Sequence, residues 1–264
     1  MSDFTAKDVQ KLRQATGAGM MDAKKALTET DGDMEKAGQW LREKGLAKAA
    51  KLGERENSQG TVAVVVDGPV GAIVELKCET DFSAKADDFV SLVQDMADAV
   101  VAKGPEAIAE LGERLDALKV TKRENIEVGQ VIRFEAAEGN LLDSYLHVQD
   151  GRGVNAVLVE LAGGSRDLAH ELAVHIAFTK PPFQSRDEVP ADEVDKERAS
   201  LEGLTKAEGK PEQAVPKIVE GRLNAWFKER VLLEQPYVKD EKQSVAQLLG
   251  DAELVRFGQV YIGA

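Results

Sequence analysis

Residues 61–78 read TVAVVVDGPVGAIVELKC, and this stretch decides the fold at the centre of the chain. Two runs rich in β-branched and other apolar residues, 61–66 and 72–78, flank a turn that begins with Asp67 and Gly68. β-branched residues favour strands, and Asp-Gly between two such runs is typical of a β-hairpin. The stretch therefore predicts two antiparallel strands joined by a tight turn.

The same pattern recurs at residues 144–161, which read SYLHVQDGRGVNAVLVEL. Both copies carry Val-Glu-Leu in the returning strand, and each leads into a helical pattern, near 89–102 in the first copy and 168–178 in the second. A sequence repeat indicates a repeated structural unit. We therefore predict an α+β fold whose core consists of two related hairpin-plus-helix subdomains.

The two copies differ in the connection between the returning strand and the helix. Residues 162–167 make this connection in the second copy, whereas residues 77–88 make it in the first and include Asp81 and Phe82. Long connections often carry function. Two interpretations of Phe82 remain open: a side chain that contacts a partner, or one that folds back onto the core.

The flanking regions read as helical modules. Residues 1–45 predict three short helices, with Gly45 as the C-terminal stop of the third. Residues 187–229 predict a charged antiparallel helical hairpin with the thin apolar seam of a coiled coil. The predicted seam comprises Val194, Leu201, Leu204, Val215, Ile218, Val219 and Leu223.

These patterns together predict six regions along the chain. They are a three-helix domain at 1–45, a helical linker at 46–59, core subdomains at 60–140 and 141–186, the helical hairpin at 187–229, and a C-terminal module at 230–264. The last strand-like run, 254–262, can complete one of the central sheets.

Composition restricts the possible partners. The formal net charge is −13 and the pI is about 4.9, which disfavours direct binding to nucleic acid. A local basic patch around Lys44, Lys48 and Lys51 remains open. The polar N-terminus and the lack of a long apolar run predict a soluble, cytoplasmic protein without a membrane contact.

Catalytic patterns are missing from the sequence. There is no phosphate-binding Gly-x-x-x-x-Gly-Lys-Ser/Thr and no Gly-x-Gly-x-x-Gly after a strand. His170 and His175 resemble a zinc helix, but five residues place them roughly 140° apart around the helix, which disfavours a shared metal. Cys78 with a distant His is a conceivable nucleophile, although period-two alternation favours a buried strand residue. We expect no enzyme activity, metal or cofactor.

Long stretches resemble the elongation factor Ts family. The two longest matches are residues 12–27, LRQATGAGMMDAKKAL, and residues 75–85, ELKCETDFSAK. Shorter matches follow in the family's order: Glu124-Asn125-Ile126, Ser144-Tyr145-Leu146-His147, Lys180-Pro181-Pro182-Phe183, Val219-Glu220-Gly221-Arg222 and Gln235-Pro236-Tyr237-Val238.

This resemblance implies a nucleotide-exchange factor that binds elongation factor Tu with GDP or without nucleotide and disturbs its magnesium site. It implies a ubiquitin-associated-like fold for residues 1–45. The residues expected to act on the magnesium site are Thr80, Asp81, Phe82 and Ser83. Further contacts with elongation factor Tu are expected at Lys24, Ile126, His147 and Val238.

Three positions depart from the family pattern. Ser83 stands where Val is usual, which we expect to reduce the apolar contact that residues 80–83 make with a partner. Lys77 stands where Asn or Val is usual, and Lys239 where the family can carry an apolar residue. Two other functions remain as alternatives: an adaptor that binds through residues 1–45 alone, and a hydrolase that depends on Cys78. A homodimer is also possible.

Overall fold

The centre of the molecule contains two antiparallel sheets. The computed structural model describes residues 4–49 and 52–263, and within them each of the two sheets has three strands. The first has the order β1-β2-β3, with β1 at Gln59–Asp67, β2 at Val70–Cys78 and β3 at Glu127–Glu135. The predicted first hairpin is confirmed: Asp67 pairs with Val70, and Gly68 has the positive φ of 56° that favours glycine.

The second sheet repeats the first. It has the order β4-β5-β8, with β4 at Asn140–Gln149, β5 at Arg152–Ala162 and β8 at Glu253–Tyr261. The prediction that the last strand completes a central sheet is confirmed. The repeat therefore extends to a third strand, because β3 and β8 each lie against the returning strand of their own hairpin.

Successive side chains of each strand point to opposite faces of its sheet, and the helices and sheets stack in four layers. Helix α5, Asp87–Lys103, packs on the outer face of the first sheet, and helix α7, Arg166–Thr179, packs on that of the second. The inner faces of the sheets meet each other. The buried residues between them are Val62, Ile73, Ala156, Leu158 and Val260. Burial of these apolar side chains on both faces of each sheet holds the core together.

A further helical segment packs against α5 and the core cluster of the first sheet. A 3₁₀ helix at Pro105–Leu111 continues into α6 at Gly112–Lys122. Ile108, Leu111 and Leu115 pack against the core cluster of the first sheet.

The N-terminal helices are α1 at Ala6–Thr16, α2 at Met20–Glu29 and α3 at Met34–Ala49. The predicted stop at Gly45 is wrong, because α3 continues through it to Ala49. A Cβ at position 45 would lie 2.6 Å from Cγ1 of Val120 on α6. Glycine stands here because α3 and α6 approach closely, so the boundary predicted at residue 45 falls inside a helix.

The predicted helical linker is also only partly helical. Residues 46–49 belong to α3, while residues 53–58 form a turn followed by extended chain. The side-chain amide of Asn125 donates to the main-chain oxygens of Gly53 and Arg55 over 3.3 and 2.8 Å. These tertiary bonds take carbonyl groups that a continuing helix would use. Of the possible basic patch, Lys51 and the side chain of Lys48 lie outside the described residues.

Helices α8, Ala191–Ala207, and α9, Val215–Arg230, form the antiparallel hairpin. Leu204 does not belong to the seam, since its side chain is 52% exposed. Thr205 is buried instead, and its hydroxyl donates to the Leu201 carbonyl and accepts from Arg222. A shift of one residue turns a helix by about 100°, so a thin apolar stripe did not fix which residue faces inward.

The C-terminal region adds a small sheet and a helix. Strand β6, Pro236–Tyr237, pairs with β7, Asp240–Ser244, and α10 follows at Val245–Leu249. Ser244 and Gln247 form a capping box at the start of α10. Val245 and Leu249 are buried in the cluster beneath α7, which ties this region to the second sheet. Across residues 4–49 and 52–263, no helix is long and apolar enough to cross a bilayer.

Candidate partner-binding site

The connection between β2 and α5 contains a single helical turn, α4, at Asp81–Ala84. Thr80 caps it, because its hydroxyl oxygen accepts from the amide of Ser83 over 3.2 Å. We call residues 80–83 the tip segment. The residue that follows it, Ala84, is fixed to the sheet: the buried hydroxyl of Thr61 on β1 donates to the Ala84 carbonyl over 2.6 Å.

Phe82 is the exposed apolar group of the tip segment. Its side chain is 76% exposed, although Ser83 and Ala84 beside it are buried. The alternative in which Phe82 folds back onto the core is therefore wrong. The ammonium of Lys85 lies 4.8 Å from the centre of the ring, within the range of a cation–π contact.

Asp81 stands next to Phe82 and is held by the same lysine. Nζ of Lys85 lies 2.9 Å from Oδ2 of Asp81. This hydrogen bond and the positive charges of Lys85 and Arg152 hold the pKa of Asp81 below its ordinary value of 3.8. Asp81 is therefore an ionised carboxylate at neutral pH, directly beside an exposed aromatic ring.

Ser83 points inward. The side chain is 7% exposed, and its hydroxyl donates to Oε1 of Glu124 over 2.6 Å. The expectation that Ser83 reduces apolar contact at the tip is therefore wrong. A short polar side chain here reaches a buried acceptor and contributes no exposed surface.

Glu124 accepts hydrogen bonds from both ends of the tip segment. Among the described residues, four donors reach its carboxylate. They are the Ser83 hydroxyl at 2.6 Å, the Thr80 hydroxyl at 2.7 Å, and the amides of Glu79 and Thr80 at 3.1 Å each. Hydrogen bonds to an ionised acceptor are about twice as strong as neutral ones. The carboxylate thus fixes the start of the tip segment and its buried end.

A second hydrogen bond joins the same two chain segments, with donor and acceptor exchanged between them: here the chain beside Glu124 donates and Glu79 accepts. The amide of Asn125 donates to Oε1 of Glu79 over 2.7 Å, and Arg55 lies 3.5 Å from the other oxygen of Glu79. Asn125 also holds the chain before β1 through Gly53 and Arg55. Three chain segments therefore converge behind the tip segment and leave Phe82 facing outward.

Of the other predicted contacts, Lys24 on α2 and His147 on β4 are exposed, and Val238, between β6 and β7, is half-buried. His147 and Arg152 line the same surface depression, and the charge of Arg152 acts on Asp81. The structure thus brings His147 to the side of the core that carries the tip segment. Lys24 and Val238 belong to other elements.

Ile126 is buried, although a surface contact with the partner was predicted for it. It is only 2% exposed and packs in the core cluster beneath α5. Its side chain therefore does not lie on a contact surface. It precedes β3, where an apolar side chain is needed to fill the core below Glu124 and Asn125.

The two lysines that depart from the family pattern have different settings. Lys239 pairs with Glu171 over 3.1 Å, and the same carboxylate accepts from the hydroxyl of Tyr237 over 2.8 Å. Lys77 is half-buried on β2, opposite Glu127 of β3. Lys239 therefore holds the C-terminal region against α7.

The residues considered for catalysis are either buried or hydrogen-bonded to other side chains of the protein. Cys78 is fully buried, and desolvation followed by the charge of Glu124 raises its pKa to about 12. A thiol with this pKa is a poor nucleophile. His170 is exposed and bonds Asp143, whereas His175 is buried and bonds Gln235. The two imidazoles face different directions, and over the described part of the chain no cluster of His, Cys, Asp and Glu is suited to hold a metal ion.

The sequence reasoning missed the roles of Glu124 and Lys85. Lys85 lies four residues after Asp81, so helical spacing could have predicted their pairing. Glu124 lies more than 40 residues from its partners on the tip segment. No local pattern connects them, because the pairing requires the β2 and β3 ends of the sheet to meet.

Comparison with known proteins gives a consistent result. A family model described as elongation factor TS matches residues 79–264. The chain is 43% identical over 279 residues to the elongation factor Ts of Renibacterium salmoninarum, with 100% of each protein covered. It is 42% identical over 271 residues to that of Micrococcus luteus, covering 96% of this chain and 95% of the relative. It is 41% identical over 266 residues to that of Deinococcus radiodurans, covering 97% and 98%. The chain belongs to the elongation factor Ts family.

Proposed function

We propose that this protein is a translation elongation factor that promotes the release of GDP from elongation factor Tu, so that GTP can bind. The observation that carries the proposal is the exposed ring of Phe82 beside the ionised Asp81, on a tip segment that is anchored from behind. An apolar side chain held out in water by a rigid support is suited to enter a pocket on another protein.

The proposed mechanism is thermodynamic linkage. If binding of this protein weakens the affinity of the partner for GDP, GDP weakens the binding of this protein by the same factor. Each tenfold loss of nucleotide affinity requires about 1.4 kcal/mol of differential binding. Burial of one Phe side chain supplies roughly 1.5–3 kcal/mol, which corresponds to about one to two decades. The remaining binding energy has to come from other parts of the interface.

Asp81 adds an electrostatic contribution in this proposal. A carboxylate brought next to a magnesium site changes the field on the ion and competes with its existing oxygen ligands. Asp81 is paired with Lys85 in the free protein, so part of its charge is neutralised before the partner binds. We propose that the contact exchanges this exposed pair for interactions with the partner, which costs little because solvent-exposed ion pairs are weak.

The other proposed contacts extend over the length of the chain. Lys24 on the N-terminal helices, with their proposed ubiquitin-associated-like fold, would hold the nucleotide-binding domain of the partner. His147 would contact it near the tip segment, and Val238 would add contact from the C-terminal region. A binding surface built from several modules supplies the energy that Phe82 alone lacks. In this proposal the factor acts in the cytoplasm, makes no covalent bond, needs no cofactor and is no enzyme.

The test is release of a fluorescent GDP from the matching elongation factor Tu, measured with this protein at about one tenth of the partner concentration. The proposal expects every molecule of partner to release nucleotide faster, because the factor is recycled when GTP binds. Fast release of only the fraction of GDP that equals the amount of factor, with no recycling, would contradict it. Binding without acceleration would favour an adaptor, and residues 46–264 would then be dispensable for binding.

A further inference from the structure

The hydrogen bonds to Glu124 come from both sides of Asp81 and Phe82 and from neither of these two residues. They come from Glu79, from Thr80 and from Ser83, and Asp81 and Phe82 contribute none of them. The two residues proposed to act on the partner are thus flanked by anchored residues on both sides. Their own side chains turn outward, with Lys85 as the group that contacts both.

We propose that Glu124 is a positioning residue for nucleotide exchange, with the Ser83 hydroxyl as its partner on the tip segment. Glu124 holds the segment in the conformation that presents Phe82, and it acts through that conformation. This inference rests on the proposed exchange function and assigns part of its efficiency to a residue more than 40 positions away in the sequence.

The anchor uses both oxygens of a carboxylate. Each oxygen of Glu124 accepts from two donors: Oε1 from the hydroxyls of Thr80 and Ser83, and Oε2 from the amides of Glu79 and Thr80. A glutamine would keep one oxygen and present an NH₂ group to the other pair of donors. Facing the amides of Glu79 and Thr80, that NH₂ group would replace two hydrogen bonds by donor–donor contacts. Facing the hydroxyls of Thr80 and Ser83, it would turn both from donors to a charged group into acceptors from a neutral one, which gives weaker bonds. Glu124→Gln therefore loosens one end of the segment with almost no change in shape.

Ser83 provides a probe of a single bond. Its side chain is buried, so Ser83→Ala removes the hydroxyl and leaves the surface of the protein unchanged. Any effect of Ser83→Ala on nucleotide exchange must then arise from a changed orientation of the tip segment. The apparent strength of a contact falls with the fraction of molecules in the competent conformation. A lost hydrogen bond to a charged acceptor corresponds to about a tenfold fall in that fraction.

The experiment combines two independent readouts on Glu124→Gln and Ser83→Ala, with Glu138→Gln as the matched control at an exposed glutamate. The first is hydrogen exchange of the Glu79 and Thr80 amides in the free protein, which does not depend on elongation factor Tu. We expect about tenfold faster amide exchange in Glu124→Gln and no change in the control. The second is acceleration of GDP release, expected to fall about tenfold in Ser83→Ala and by at least about as much in Glu124→Gln.

A double substitution separates positioning from general destabilisation. If Glu124 acts only by presenting Phe82, then Glu124→Gln has no further effect on GDP release once Phe82→Ala is present. Additive losses would overturn the proposal, as would wild-type acceleration by both Glu124→Gln and Ser83→Ala. If Glu124→Gln fails to fold, Ser83→Ala carries the test alone. A wild-type protein that does not accelerate GDP release would overturn the exchange function itself, and the amide-exchange result would still report whether the anchor exists.

Discussion

Lys85 binds both residues at the tip: its ammonium lies 2.9 Å from the carboxylate of Asp81 and 4.8 Å from the ring centre of Phe82. One side chain therefore neutralises the acid and shields one face of the aromatic ring in the free protein. The pair is partly exposed, so its contribution to folding stability is small.

The first prediction concerns the charge of Asp81. We expect Lys85→Met to raise the pKa of Asp81 towards its ordinary value of 3.8, because the largest cause of the lowered pKa is the bond from Lys85. The measurement is NMR titration of the Asp81 carboxyl carbon. Lys196→Met removes a similar lysine, four residues after Asp192 on the helical hairpin, and serves as the control. An Asp81 titration that Lys85→Met leaves unshifted would show that Arg152 and the local backbone set the pKa.

The second prediction concerns stability against pH. Burial lowers the pKa of His175 below its ordinary value of 6.5, while its bond to Gln235 acts in the opposite direction. Its Nδ1 accepts the amide of Val238 over 3.3 Å, and its Nε2 lies 2.9 Å from Oε1 of Gln235. The folded protein therefore holds a neutral imidazole, whereas the unfolded chain binds a proton below pH 6.5.

The free energy of unfolding should accordingly fall as the pH drops below 6.5, by up to about 1.4 kcal/mol per pH unit until the folded-state pKa is reached. Urea denaturation at several pH values between 5 and 8 measures this slope. We expect His175→Gln to be less stable at pH 7.5 and to lose the slope, while His170→Gln, at an exposed position, keeps it. A slope that survives in His175→Gln would assign it to other groups.

The third prediction concerns the contact between α3 and α6. We expect Gly45→Ala to destabilise the protein by about 1–3 kcal/mol, because the new Cβ would lie 2.6 Å from Val120. Gly38→Ala on the same helix meets nothing within 4 Å and should stabilise the protein by about 0.5–1 kcal/mol. Thermal unfolding compares the two variants.

A second substitution checks the cause. Val120→Ala removes the methyl groups that the new Cβ would meet, so Gly45→Ala should cost less in that background. If Gly45→Ala were stabilising in the wild-type protein, the close approach of α3 and α6 would not persist in solution.

Much of the fold was predictable because the relevant signals are local. Asp67-Gly68 and Asp150-Gly151 marked the two hairpin turns, and the apolar runs around them marked the strands. Gly45 shows the limit of such reasoning. Glycine fits both a helix end and a close approach between helices, and only the position of Val120 distinguishes them.

The sequence allowed prediction of the exposed residues of the site and not of the buried ones. The resemblance located Asp81 and Phe82, but period and spacing could not show that Ser83 turns inward or that Ile126 is buried. Both depend on the chain around Glu124, which meets the tip segment only when β3 has paired with β2. Contacts of this kind are set by tertiary structure, and a single sequence contains no local pattern for them.

The most direct test compares Phe82→Ala with the wild-type protein in stopped-flow release of fluorescent GDP from elongation factor Tu. The control is Leu204→Ala, which removes an exposed apolar side chain from the helical hairpin. The account expects Phe82→Ala to remain folded, to bind the partner, and to lose about one to two decades of acceleration, since that is the range that burial of one Phe supplies. Leu204→Ala should release GDP like the wild type. Wild-type acceleration by a folded Phe82→Ala would contradict the central claim that the exposed ring drives nucleotide release.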